Sequence, residues 1–95
     1  MSIVEVIAMT PDDAKRVEES GADRIELVAA FAEGGLTPDY GVIENVVRSV
    51  KIPVNVMIRP HSKSFVYTPE EIAKMKEDIL FAKEAGANGV VFGTL

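Results

Sequence analysis

Hydrophobic and polar positions along this chain follow two rhythms that take turns. Ile3-Val4-Glu5-Val6-Ile7-Ala8 is a short apolar run of strand type, and Pro11 to Ser20 follows with helical spacing that sets Ala14 and Val17 on one side. Gly21-Ala22-Asp23 closes this helix, because Gly21 can take the left-handed conformation at a helix end. Arg24 to Val28 reads as a second, short strand. A glycine-containing loop, Ala29 to Leu36, leads to a second helix carrying Val42, Ile43, Val46, Val47 and Val50. Ile52-Pro53 ends it and feeds a third strand, Val54 to Ile58. The polar loop Arg59 to Tyr67 precedes the longest helix, Pro69 to Ala85, with Ile72, Met75, Ile79 and Ala82 as its apolar stripe. Gly86-Ala87-Asn88 repeats the pattern of Gly21-Ala22-Asp23, and Gly89-Val90-Val91-Phe92 is a fourth strand.

The three helix starts share a tripeptide: Thr10-Pro11-Asp12, Thr37-Pro38-Asp39 and Thr68-Pro69-Glu70. A threonine hydroxyl can cap free backbone N–H groups, and proline suits the first helical position, where its missing N–H would be unpaired anyway. The acid interacts favourably with the positive end of the helix dipole. Thr68 with Glu71 also makes a capping box. The motif recurs at intervals of about 30 residues, the length of one strand-plus-helix unit. Strands alternating with helices imply a parallel sheet with right-handed crossovers, here in a single domain over residues 1–95.

Side-chain parity chooses between an open doubly wound sheet and part of a (βα)8 barrel. Alternate strand residues face opposite sides. One set is apolar: Val4, Val6, Ala8, Ile25, Leu27, Val54, Val56, Ile58, Val90 and Phe92. The opposite set holds Glu5, Glu26, Asn55, Met57 and Arg59. A central parallel strand covered by helices on both faces should be apolar on both. Only one face is built for helices here, and the other carries charge towards the strand ends where barrel enzymes keep their chemistry. The expected fold is therefore α/β, the N-terminal half of a TIM barrel.

Four strands are half of that barrel, which usually takes about 250 residues. The expected partner is accordingly either the missing C-terminal half or a second copy of the chain, since a lone half-barrel exposes two strand edges and its inner face. The net charge of −5, with acids and bases interleaved, argues against nucleic acid or an anionic membrane as main partner. No apolar run approaches the roughly 20 residues of a membrane span, and no signal-peptide pattern opens the chain. A cytoplasmic location is the expectation. Cysteine is absent, which removes disulfides, thiolate nucleophiles and Cys-based metal sites.

Glu5, Glu26 and Arg59 come from three strands and share one face by parity. One reading makes a glutamate the general acid or base and Arg59 the anchor of an anionic substrate group. The other makes the three a structural ion network filling the barrel interior. Gly34-Gly35, entering the second helix, can present successive N–H groups to an anion, or can simply form a tight turn at positive φ. His61, the single histidine, and Lys63 lie past the third strand as candidate substrate contacts; a solvated loop is the alternative. Phe65 and Tyr67 can form the apolar part of a lid or anchor the loop to the third helix. Met9, Met57 and His61 are the weak candidates for a Cu(I) site, with packing as the alternative for both methionines.

These segments, taken in order, resemble the CutC family, named for copper homeostasis. The resemblance rests on Val4-Glu5-Val6, Gly21-Ala22-Asp23-Arg24-Ile25-Glu26-Leu27, Glu33-Gly34-Gly35-Leu36-Thr37-Pro38, Gly41-Val42, Ile52-Pro53-Val54 and Ile58-Arg59-Pro60. It implies a (βα)8 barrel of well over twice this length, of which this chain matches the N-terminal part, with Glu5, Glu26 and Arg59 as interior polar positions. The cofactor is otherwise open, and copper enters through this resemblance alone. Several members carry cysteines where this chain has Ile7, Ala8 and Val28, so copper binding through those thiolates is excluded. After Arg59-Pro60 the family commonly continues Arg-Gly-Gly, and this chain has His61-Ser62-Lys63. The resemblance implies a role in copper homeostasis with the molecular activity open. Its rivals are an isomerase- or aldolase-like enzyme for a small anionic or phosphorylated metabolite, and a half-barrel subunit without catalysis.

Overall fold

The computed structural model of the protein describes residues 2–61, 63 and 66–92. Its elements alternate as β1 (Glu5–Ala8), α1 (Pro11–Glu19), β2 (Arg24–Leu27), α2 (Tyr40–Ser49), β3 (Val54–Ile58), α3 (Pro69–Ala85) and β4 (Gly89–Phe92). The four strands form one parallel sheet in the order β1-β2-β3-β4. Each strand thus lies beside its predecessor, as in a barrel wall.

The register confirms the parity reading. Val6 pairs with Ile25 and Ile25 with Val54, while Ile7 pairs with Glu26 and Glu26 with Asn55. The apolar rows (Ala8, Ile25, Leu27, Val54, Val56 and Ile58) share one buried core with Ala14 of α1, Ile43 and Val46 of α2 and Ala82 of α3. All three helices therefore cover the same face. Burying each of the valine, leucine and isoleucine side chains contributes about 1.5–3 kcal/mol, which is what holds the helices to the sheet.

Three expectations need correction. The first strand starts at Glu5, and Ile3 and Val4 are exposed. Val4 is held instead by Asp23, whose carboxylate accepts its N–H at 2.7 Å and whose own N–H donates to the Val4 carbonyl at 2.9 Å. On α3, Ile72 is 43% exposed, while Asp78 is buried beside Met75, Ile79 and Ala82, so the buried face of the helix takes in Asp78 and leaves out Ile72. The third concerns the helix starts. Thr10 and Thr68 accept from the N–H groups of Asp13 and Glu71 at 3.0 and 3.1 Å, as capping requires. Thr37 caps nothing: α2 begins three residues later, behind Asp39.

Candidate functional site

The polar residues of the inner face separate into two groups. Glu5 opens β1, at the N-terminal end of the sheet, and its Oε1 lies 3.3 Å from Arg24 Nε. The same oxygen accepts from Asn55 Nδ2 at 3.2 Å, and Asn55 Oδ1 accepts from Asn88 Nδ2 at 3.0 Å. A polar chain thus joins β1, β2 and β3 and reaches Asn88, just before β4. Arg24, and not Arg59, is the cation beside Glu5; its parity with Glu26 was readable in the sequence. Glu26 sits one register layer further on, half-buried. Burial first, and the neighbouring Glu5 second, push its carboxyl above the usual range.

The second group lies past the C-terminal end of β3. Arg59 is 8% exposed, an unusual degree of burial for a guanidinium. Its N–H donates to Thr37 Oγ1 at 2.7 Å, and its carbonyl accepts from the Thr37 N–H at 3.0 Å. The same loop after β2 that carries Thr37 also reaches the guanidinium. There Ala29 and Leu36 pair as an antiparallel bridge around a single 3-10 turn, Phe31–Glu33. Gly34 and Gly35 both take φ 91°, and Ala30 takes φ 47°. A Cβ on Gly34 would stand 2.8 Å from Arg59 Nη1, so only glycine lets the loop close this tightly over the guanidinium. A Cβ on Gly35 would meet Met57 and Val28 at ordinary contact distance, 3.5 Å.

His61 and Lys63 lie just beyond. His61 Nε2 is 2.7 Å from Glu71 Oε2, and Nδ1 accepts from the Lys63 N–H at 3.2 Å. Glu71 Oε1 accepts from the Thr68 N–H at 2.8 Å, which closes the capping box of α3. That backbone donor, more than His61, holds the Glu71 carboxyl below the usual range. His61 is thus tied to the start of α3, and its ring lies 5.4 Å from that of Tyr67. Ser62, Ser64 and Phe65, the last a proposed lid residue, lie outside the described residues.

The candidate copper donors do not fit a soft-metal site. A histidine ligand needs a free ring-nitrogen lone pair. Nδ1 of His61 spends its lone pair on Lys63, and Nε2 faces a carboxylate. Met57 is buried with its methyl against the Gly35 loop, and Met9 is 42% exposed beyond β1.

One cluster escaped the sequence reading. Between α2 and α3 a cleft of about 420 Å³ is lined by Thr37, Tyr40, Arg59, Lys74 and Asp78, among others. Asp78 is 3% exposed; its Oδ1 accepts from the Tyr40 hydroxyl at 2.6 Å and lies 2.9 Å from Lys74 Nζ. Lys74 also donates to the Tyr40 oxygen at 3.1 Å, and the Tyr40 ring stacks on Phe81 at 4.0 Å. The bond to Asp78 is the first cause raising both the Tyr40 hydroxyl and the Lys74 ammonium. Groups shifted this way hold their protons at neutral pH, so the cluster locks the helices together and does not suit proton transfer. Its one sequence signal was an aspartate lying on an apolar stripe.

Comparison with known proteins places this geometry. The CutC family model matches residues 2–95. The copper homeostasis protein cutC homolog of Homo sapiens is 50% identical over 93 residues, which cover 98% of this chain and 34% of that protein. A CutC family protein of Klebsiella pneumoniae strain 342 is 44% identical over 95 residues, 100% of this chain and 38% of its own length. The CutC structure from Streptococcus agalactiae superposes with a TM-score of 0.88 at 39% identity, covering 100% of this chain and 47% of that one. The N-acetylmannosamine-6-phosphate 2-epimerase structure from Clostridium perfringens gives 0.59 at 25% identity, over 96% of this chain and 36% of that one. The chain spans little more than a third of the length of these curated relatives. With its inner-face glutamates, its Gly34-Gly35 loop and its buried Arg59 in one half-barrel wall, the chain belongs to the CutC family.

Proposed function

We propose that this chain serves copper homeostasis, in the cytoplasm, through a small anionic ligand held at the C-terminal end of the strands and not through copper ligands of its own. The observation that carries this reading is the guanidinium of Arg59, buried at the end of β3 where barrel folds place their chemistry. A planar fork of donors with a permanent positive charge suits a carboxylate or phosphate. The Gly34-Gly35 turn brings backbone close beside it. β1 and β4, the edge strands among the described residues, support closure of the barrel by a further half, and this chain covers only 47% of the solved CutC structure. A second reading, an isomerase- or aldolase-like enzyme, is favoured by one observation. The carboxyl of Glu26, raised by burial and by Glu5, is moved towards the range of a general acid or base. The epimerase, a phosphosugar enzyme by its name, makes a phosphorylated metabolite the natural first class to test.

The test is a titration of the chain with inorganic phosphate, followed by NMR, for the parent and for Arg59→Gln, beside competition for Cu(I) with a chelator. The expected result is saturable phosphate binding that Arg59→Gln weakens by about tenfold or more, with copper surrendered to the chelator. Stoichiometric retention of Cu(I), with phosphate affinity unchanged in Arg59→Gln, would reverse the reading.

A further inference from the structure

We infer that Thr37 is a positioning residue of the Arg59 site, a role that deepens the anion reading and rests on it for its functional meaning. The tripeptide that caps α1 and α3 is put to another use in the second repeat. Pro38 disfavours helical backbone at Thr37, and α2 starts only at Tyr40. Both the hydroxyl and the N–H of Thr37 are thereby left for β3. They engage the two backbone groups of one residue: the Arg59 N–H at 2.7 Å and the Arg59 carbonyl at 3.0 Å. Leu36, the preceding residue, is bonded in both directions to Ala29 at 2.7 and 2.8 Å. The loop is therefore fixed at its base immediately before it grips Arg59. Gly34, from the same loop, borders the guanidinium at the other end of the side chain.

One short loop thus sets both the backbone of Arg59 and the space its charged end occupies. Two contacts to one backbone unit fix its orientation, where a single contact would leave it free to pivot. A planar donor fork depends on that orientation for two-point recognition of an anion. The hydroxyl is the replaceable part. Serine keeps the acceptor, and valine keeps the shape while leaving a half-buried N–H unsatisfied.

The experiment compares Thr37→Ser and Thr37→Val in the 95-residue chain, with Thr10→Ala as a control that loses the helix cap after β1, two strands from β3. Two quantities are read: inorganic phosphate affinity, and the order of the Arg59 guanidinium from the relaxation of its Nε–H signal. We expect Thr37→Ser and Thr10→Ala to match the parent in both. Thr37→Val should lose about tenfold in affinity and show a disordered guanidinium. Equal affinity and equal order in the serine and valine variants overturn the positioning role, whatever Arg59→Gln does. If Arg59→Gln binds phosphate as the parent does, the anion reading falls. The guanidinium signal then still decides whether Thr37 orients Arg59, by disorder confined to valine or by its absence.

Discussion

Thr68-Pro69-Glu70 and Thr37-Pro38-Asp39 are chemically almost the same tripeptide, and the fold uses them for different ends. At Thr68 the hydroxyl turns inward along the chain and accepts from Glu71, three residues on, while Glu71 returns the bond. At Thr37 the hydroxyl reaches Arg59, 22 residues away, and the helix is left to start behind Asp39. The first arrangement satisfies local donors that any helix start leaves open. The second joins two loops at the end of the sheet where the buried cation lies. A motif made of capping residues therefore specifies only a hydroxyl beside a chain reversal. What that hydroxyl meets is set by the neighbouring strand.

The sharpest way to break the contrast is at Gly34. Gly34→Ala forces an L side chain to φ 91° and sets its Cβ 2.8 Å from Arg59 Nη1. The strain alone costs roughly 1–3 kcal/mol. Gly21 has the same φ with nothing near it, so Gly21→Ala isolates that strain. Because the crowded atom ends a long side chain, we expect urea unfolding to report similar losses for the two variants. Only Gly34→Ala should also lose phosphate binding. If both bind equally well, the close approach of the loop to Arg59 has no bearing on the ligand.

The next effect in size belongs to the cap. Thr68→Ala should cost about 1 kcal/mol, read as a lowered urea midpoint, and should leave the Arg59 Nε–H signal unmoved. A changed Arg59 signal would mean that the two threonines act on one unit, and the comparison would collapse.

The smallest effect comes from the inner face. The folded-state pKa of Glu26 is raised by burial and by Glu5. Its protonated form is thus favoured by folding, and the stability this lends below the unfolded pKa is lost as pH rises through the folded one. Glu26→Gln should therefore be the more stable protein at pH 7, with the difference closing below about pH 4. A constant difference across that window would mean that the carboxylate is solvated like any surface glutamate.

Much of the fold was legible because it depends on periods. The alternation of Val6, Ile25, Val54 and Val56 with Glu5, Glu26 and Asn55 separates the helix-covered face from the polar one, and the register keeps that separation. The site was legible only as a list of members. Glu5 and Glu26 share a face in the register, as parity requires, whereas Arg59 lies past the end of β3, and the three do not form one network. Glu5 binds Arg24 and Asn55 near the strand starts, and Arg59 lies with Thr37 and Gly34 at the opposite end. Parity fixes the side of the sheet and says nothing of height along a strand until the register is known. Tyr40, Lys74 and Asp78 were missed for a related reason. The pair Lys74 and Asp78 reads as an ordinary surface ion pair at four residues' spacing, and only packing against Tyr40 buries the carboxylate.

By itself, then, the sequence determined the alternating elements, the parallel sheet, the face that meets the helices and the family, because each follows from local spacing and residue type. Tertiary structure alone decided that Thr37 serves Arg59 and that Arg24 is the partner of Glu5. It also decided that His61 is tied to the cap of α3. Those pairings join residues far apart in the chain, and their partners are chosen by which strand ends and loops the closed sheet brings within hydrogen-bonding distance.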